Sequence, residues 1–411
     1  MTQARLVNPV LIAGSVILML SFGIRSTFGV FQIPIAEDFG WLRAEFSIAI
    51  AIQNLAWGAG APIFSAIAER FGDRKAIILG ALVYALGLLL TAFAITPGQM
   101  QLLEVLVGFG VAGTGFGVII AIIGRATSIE HRSMALGIAT AMGSIGQIIG
   151  PPVAAGLLAV FAWPTVFMIF AGAIMIVLLM LPFLRAPANQ SLASEPDEGM
   201  ATVLKRAFRD PSYTLIFIGF FSCGYQLGFV TAHFPAFVTE VCGPITPGGV
   251  LDTLGVSTTS ALGAWSIALI GLTNIFGTIY AGKLGATLPK KYLLAGIYTL
   301  RTLVAGVFIL LPMTPFNVIV FSAAFGALWL ATVPLTSGLI AHIYGLRYMG
   351  TLYGFVFLSH QIGSFMGVWL GGALYDLHGS YKLVWWIGVA VGAFSAIVHL
   401  PVRENQTPVP A

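Results

Sequence analysis

Apolar residues along this chain come in long runs rather than in alternating or one-sided patterns. Each run reaches about 20 residues or more, the length that carries an α-helix across a bilayer. Twelve spanning helices are predicted, at 9–36, 44–68, 76–96, 98–124, 134–160, 163–184, 212–239, 258–282, 291–312, 315–343, 349–374 and 381–402. The first run follows Arg5 and is too long for the apolar core of a signal peptide, so it reads as a span. The longest polar interruption is 185–211, which includes "NQSLASEPDEGMATVLKRAFRD". It separates an N-terminal six-helix bundle, 1–184, from a C-terminal one, 212–411, and reads as a cytoplasmic linker. The predicted fold is an all-α membrane protein.

The two halves repeat each other. "SFGIRSTFGVFQIPI" (21–35) aligns with "SCGYQLGFVTAHFPA" (222–236), matching Gly23 to Gly224, Phe28 to Phe229 and Pro34 to Pro235. Gly80 then pairs with Gly296 and Gly110 with Gly326. Gly137, Gly146 and Gly150 pair with Gly354, Gly363 and Gly367. The offset grows from 201 to about 216, which a longer loop near 243–257 absorbs. Six-plus-six repeats describe secondary transporters that work by moving one half against the other.

Composition supports lipid as the solvent. The chain has 411 residues, 58% hydrophobic and 8% charged, where a soluble domain carries about 25% charged residues. Its formal charge of +4 is scattered between apolar segments, which gives no nucleic-acid surface. With a cytoplasmic N-terminus, fifteen of the nineteen lysines and arginines fall on the cytoplasmic side. Arg43 and Lys382 fall outside, and Arg25 and Arg301 lie within the membrane. That bias places both termini in the cytoplasm and suits a bacterial inner membrane. Two cysteines, Cys223 and Cys242, make neither a disulfide framework nor a metal site. No nucleophile elbow or phosphate loop is present, so no enzyme, cofactor or metal is expected.

"SAIAERFGDRK" (65–75) resembles the loop motif between helices 2 and 3 of the major facilitator superfamily. Glu69 stands at the acidic position, followed by Arg70, Gly72, Arg74 and Lys75, while Ser65 replaces the usual leading glycine. The second copy, "GTIYAGKLGATLPKK" (277–291), keeps Gly277 and the lysines but lacks the acid. The resemblance implies a cytoplasmic gate in which the acid meets a helix N-terminus. "GIATAMGSIGQIIGPPVAAG" resembles the family's antiporter motif, with Gly146, Gly150 and Pro151 as a hinge. Further stretches, among them "FGVFQIPIAEDFGWLRAEFSIAIAIQNL" (28–55) and "FLSHQIGSFMGVWLGG" (357–372), are similar to the bacterial branch near monocarboxylate and oxalate/formate transporters. Those relatives hold the carboxylate with an arginine in helix 8. Here 273–282 is uncharged, so a carboxylate site would be rearranged.

The embedded charges carry the candidate chemistry. Ser21, Arg25, Phe28 and Gln32 share one helical face, and Ser222, Gln226, Phe229 and His233 repeat it in the seventh segment. A guanidinium at mid-span costs at least about 2.5–3.5 kcal/mol and faces a bundle interior or water. Arg25 either bridges to Glu104 or awaits an anion, which its planar fork grips through two hydrogen bonds. Arg301 either contacts substrate or bonds backbone carbonyls of a neighbouring helix. Weaker lining candidates are Gln53, Asn54, Trp57, Asn274, Trp329, Thr332, Tyr353, His360, Gln361 and Ser364. His233 and His360 are able to change charge near neutral pH.

The sequence thus predicts a monomeric secondary transporter of a small mono- or dicarboxylate, coupled to protons or exchanging anions. Expected site residues are Arg25, Arg301, Gln32, Phe28, Asn54, Gln226, His233, His360 and Gln361. A proton-driven drug exporter is the alternative.

Overall fold

A computed structural model describes residues 6–41, 43–184 and 199–405. Among them every regular element is helical. Six spans precede the linker. They are α1 (Pro9–Ser26 and Phe28–Phe39), α2 (Arg43–Phe71), α3 (Asp73–Thr91), α4 (Pro97–Thr114 and Phe116–Ala126), α5 (Ile129–Leu158) and α6 (Trp163–Ile174, continued as a 3₁₀ turn Met175–Phe183). Six follow it: α7 (Pro211–Val241), α8 (Thr259–Thr287), α9 (Lys290–Leu310), α10 (Pro315–Ala327 and Thr332–Tyr344), α11 (Met349–His378) and α12 (Lys382–His399). Eleven of these twelve are long and apolar enough to cross a membrane. α11 falls outside that set, with Ser359, His360, Gln361, Ser364 and Asp376 along its 30 residues. A ten-residue helix, Met200–Arg209, precedes α7. The rest of the predicted linker, 185–198, lies outside the described residues.

Local chemistry sets the helix starts. Asn8, Thr96, Asp210 and Thr314 each place a side-chain oxygen on the first turn, and a proline follows each cap. The oxygen satisfies an otherwise unpaired amide, and proline at the first position lacks the amide that would need one. Arg70, Arg74, Lys75, Arg125, Lys283, Lys290 and Arg347 sit at helix ends on one side of the molecule, here called the basic end.

α1 lies against α5, and α7 against α11. Glycines make both contacts close. A Cβ on Gly146 or Gly150 would stand 2.1 Å from the carbonyl oxygen of Met19 or Gly23. The repeat partners behave alike: Gly363 and Gly367 meet the Phe221 and Tyr225 carbonyls at 2.1 and 2.2 Å. Backbone-to-backbone approach of this kind suits helices that gain little from apolar burial in lipid. Pro151 and Pro152 follow Gly150 inside α5.

Two further pairs, α2 with α11 and α5 with α8, join helices before the linker to helices after it. On the first, Glu69 meets Gly350, Pro62 meets Gly354 and Gly58 meets Gln361. On the second, Ser133 meets Gly282, Gly137 meets Thr278, and Asn274 donates to Ser144 Oγ at 2.6 Å. These contacts run from the basic end to mid-depth, closing that side.

Candidate functional site

Arg25 lies in the last turn of the first part of α1, just before the break at Thr27. Its guanidinium donates to Asn54 Oδ1 on α2 and stands 4.7 Å over the Trp57 ring. Its Nε is buried without an acceptor. Glu104, the acid that the sequence offers as partner, turns elsewhere: its Oε2 accepts from Gln53 Nε2 at 2.6 Å, and Oε1 has no partner. An ion pair joins Arg125 to Asp73 at 2.5 Å. Arg25 therefore keeps its charge beside a neutral amide and an aromatic face, which attract a cation without neutralising it.

The rest of the α1 face disperses. Ser21 shares a 2.8 Å hydrogen bond with Thr114 of α4. Phe28 is packed among Phe31 and Phe167, a wall against α6. Gln32 is half-buried.

The matching face of α7 is drawn inward, among α9, α11 and α12. Gln226 donates to the Gly388 carbonyl at 2.9 Å, and its oxygen accepts from Arg301 at 3.5 Å. Phe229 meets Trp385 edge-on at 5.0 Å. His233 Nε2 bonds the Val368 carbonyl at 2.8 Å. A void of about 10 Å³ beside Gln226 and Trp385 has room for roughly one water.

Arg301 is wholly buried, and its bonds explain the depth. α10 is interrupted between Ala327 and Thr332, two residues ahead of Pro334. Proline has no amide for the carbonyl four residues back and clashes with it, so the preceding turn opens. Arg301 donates to the carbonyls of Leu328 and Trp329 at 2.5 and 2.8 Å. Asn274 takes the Leu330 amide at 2.8 Å. The guanidinium and the Asn274 amide together serve the broken turn.

From α11, Phe357 meets Trp57 at a tilt, ring centroids 4.7 Å apart, and stacks on His360 at 5.3 Å. His360 Nδ1 lies 3.1 Å from Gln361 Oε1. An aromatic ladder thus runs from Arg25 through Trp57 and Phe357 to His360, crossing from the first six helices to the last six. Asn54 and Trp57 were legible only as polar and aromatic positions on α2, since their spacing does not reveal a guanidinium on another helix.

At the basic end, Glu69 accepts from the Gly350 and Thr351 amides at 2.7 and 3.1 Å and from the Thr351 hydroxyl. It thereby caps the N-terminus of α11 with a negative charge, where the helix dipole favours one. Gly72 has a φ of +104°, open to glycine, and makes the tight turn between α2 and α3. Arg74 reaches the Pro182 carbonyl at 3.5 Å, while Arg70 and Lys75 are exposed.

Comparison with known proteins agrees with this architecture. The sequence profile of the Major Facilitator Superfamily matches residues 13–244. Monocarboxylate transporter 13 of Bos taurus is 27% identical over 387 residues, covering 91% of this chain and 83% of that protein. Multidrug resistance protein MdtH of Photorhabdus laumondii is 27% identical over 372 residues, covering 87% and 84%. A crystal structure of the E. coli fucose:proton symporter FucP superposes with a TM-score of 0.72 at 15% identity, covering 97% and 99%. With twelve helices in this arrangement and the profile matched over more than half its length, the chain belongs to the Major Facilitator Superfamily and is a membrane transporter, not an enzyme.

Proposed function

We propose that this transporter carries a small organic anion, a mono- or dicarboxylate, with Arg25 as the group that holds the carboxylate. The observation that carries this reading is a half-buried guanidinium with no acidic partner among the described residues. Charge-assisted, forked hydrogen bonds to a carboxylate would occupy it, and Asn54 would position it. Similarity to a monocarboxylate transporter over most of the chain supports the same class. The units that rock are 1–184 and 212–411, joined by 185–211. The basic end faces the cytoplasm of a bacterial cell, with both termini there, and Glu69 and its neighbours form the gate on that side. Gly146, Gly150 and Pro151 make the hinge. The working unit is a monomer, and either protons or a second anion balance the cargo.

Uptake of labelled lactate, oxalate and a dicarboxylate into proteoliposomes tests this. Wild type should accumulate at least one of them, and Arg25→Gln should lower that uptake by about 10–100-fold. Full uptake by Arg25→Gln removes the assignment. A second reading, export of cationic drugs driven by protons, draws on the buried Glu104 and the similarity to MdtH. Transport of a cationic dye with no carboxylate transport selects it.

A further inference from the structure

His360 sits where the α2–α11 contacts reach mid-depth, one residue from Gln361, whose Cβ would lie 2.6 Å from one built on Gly58. The imidazole is 7% exposed and stacked flat on Phe357. His360 Nδ1 lies within hydrogen-bond distance of Gln361 Oε1; with Nδ1 as the donor, Nε2 is the nitrogen open to a proton. That Nε2 is buried with no hydrogen-bond partner of ordinary length, the Cys223 thiol being the polar group beside the ring. A buried basic nitrogen left bare is costly unless something arrives to use it.

The surroundings supply a polar file. Cys223 of α7 stands beside His360 and shares a 3.3 Å contact with Thr332 Oγ1 of α10. Behind it lie Arg301 and Tyr298 of α9, and Tyr298 stacks at 5.1 Å on His399, near the end of α12. His399 Nε2, Tyr298 OH and Tyr353 OH are buried without partners, as is Nε2 of Gln361. From α2 the facing residue is Trp57, reached through Phe357. The acid of that helix, Glu69, touches Gly350, about 15 Å away along α11 at 1.5 Å per residue. His360 makes no ion pair among the described residues.

We propose that His360 is the proton-carrying group of the transport cycle, its Nε2 taking up one proton for each carboxylate moved. The proposal rests on the reading of a carboxylate cargo at Arg25. On one side of the membrane a proton from water forms the Nε2–H bond, while Arg25 alone holds the anion. On the other side that bond breaks to water as the anion leaves. Glu104 is the rival for this role, wholly buried on α4 with Gln53 of α2 as its partner.

Two modes of transport in proteoliposomes separate the possibilities, using whichever of lactate, oxalate or dicarboxylate wild type moves. Symport with one proton sustains an about tenfold concentration ratio per unit of pH gradient, since each pH unit is 1.36 kcal/mol. Counterflow at equal pH needs no net proton release. His360→Gln should keep counterflow and lose pH-driven accumulation, its ratio falling to one. Accumulation surviving in His360→Gln overturns the proposal. So does counterflow lost with accumulation, which marks a structural role, and so does accumulation lost in Glu104→Gln alone. Absence of any carboxylate transport in wild type sinks the cargo reading instead. For that case ¹⁵N-histidine spectra of wild type and His360→Gln read the ring directly: a signal switching from neutral to imidazolium on acidification supports proton carriage, and one that stays neutral overturns it.

Discussion

Arg25 and Arg301 look alike in the sequence, each an arginine near the middle of an apolar run, and their partners separate them. Arg25 rests on an amide and a ring from α2, while Arg301 serves the carbonyls of a broken turn in α10. Arg25→Gln should therefore leave the fold intact and lower carboxylate uptake by about 10–100-fold, the value of a charge-assisted contact of roughly 1.5–3 kcal/mol. Arg301→Gln should behave oppositely, lowering the thermal unfolding temperature and the yield of folded protein by stranding buried carbonyls at about 1–3 kcal/mol. Thermal unfolding in detergent beside an uptake assay checks both. Sequence reasoning placed both arginines at depth and left their roles open. The signal that decides Arg301 was present in Pro334, but the proline becomes informative only once α9 is known to lie beside the turn it opens.

At the scale of helices, glycine spacing was the legible feature. Gly146 and Gly150, with repeat partners Gly363 and Gly367, mark α5 and α11 as helices whose backbones approach a neighbour. Which neighbour they meet is not written in the spacing, because the contacting residues are more than a hundred positions away in sequence. Gly224 is the tightest such point, a Cβ there falling 1.7 Å from the His360 carbonyl oxygen. Gly224→Ala should sharply reduce the folded fraction recovered by size-exclusion chromatography. Gly29→Ala, with nothing within 4 Å of the new Cβ, should leave recovery unchanged.

Over the whole molecule, the fold was readable from run lengths and the one-sided distribution of lysine and arginine, since lipid allows few solutions. Which residues meet across the closure was not, although the loop motif implied that Glu69 meets a helix N-terminus. The closing contacts join residues such as Ser144 and Asn274, or Glu69 and Thr351, that no local pattern links. Glu69 is the charged member, holding two amides and a hydroxyl of α11. Removing it in Glu69→Ala should weaken the closed arrangement by about 1.5–3 kcal/mol, a roughly 10–100-fold shift in population. Labelling of a cysteine introduced at Ser133, in a variant lacking Cys223 and Cys242, should speed up accordingly; an unchanged rate would show that Glu69 does not hold the closure.

The glycine contacts have a mechanical consequence. α5 is fastened to α1 and α11 to α7, yet α5 and α11 are also the helices that touch the opposite half. Any tilt that parts α5 from α8 must drag α1, with its guanidinium, along as cargo of the same lever. Any tilt that parts α11 from α2 likewise carries the imidazole off with α7. Opening at the basic end would then pull Trp57 and Phe357 apart and part the guanidinium from the imidazole, so that the ladder between them breaks as the exit forms.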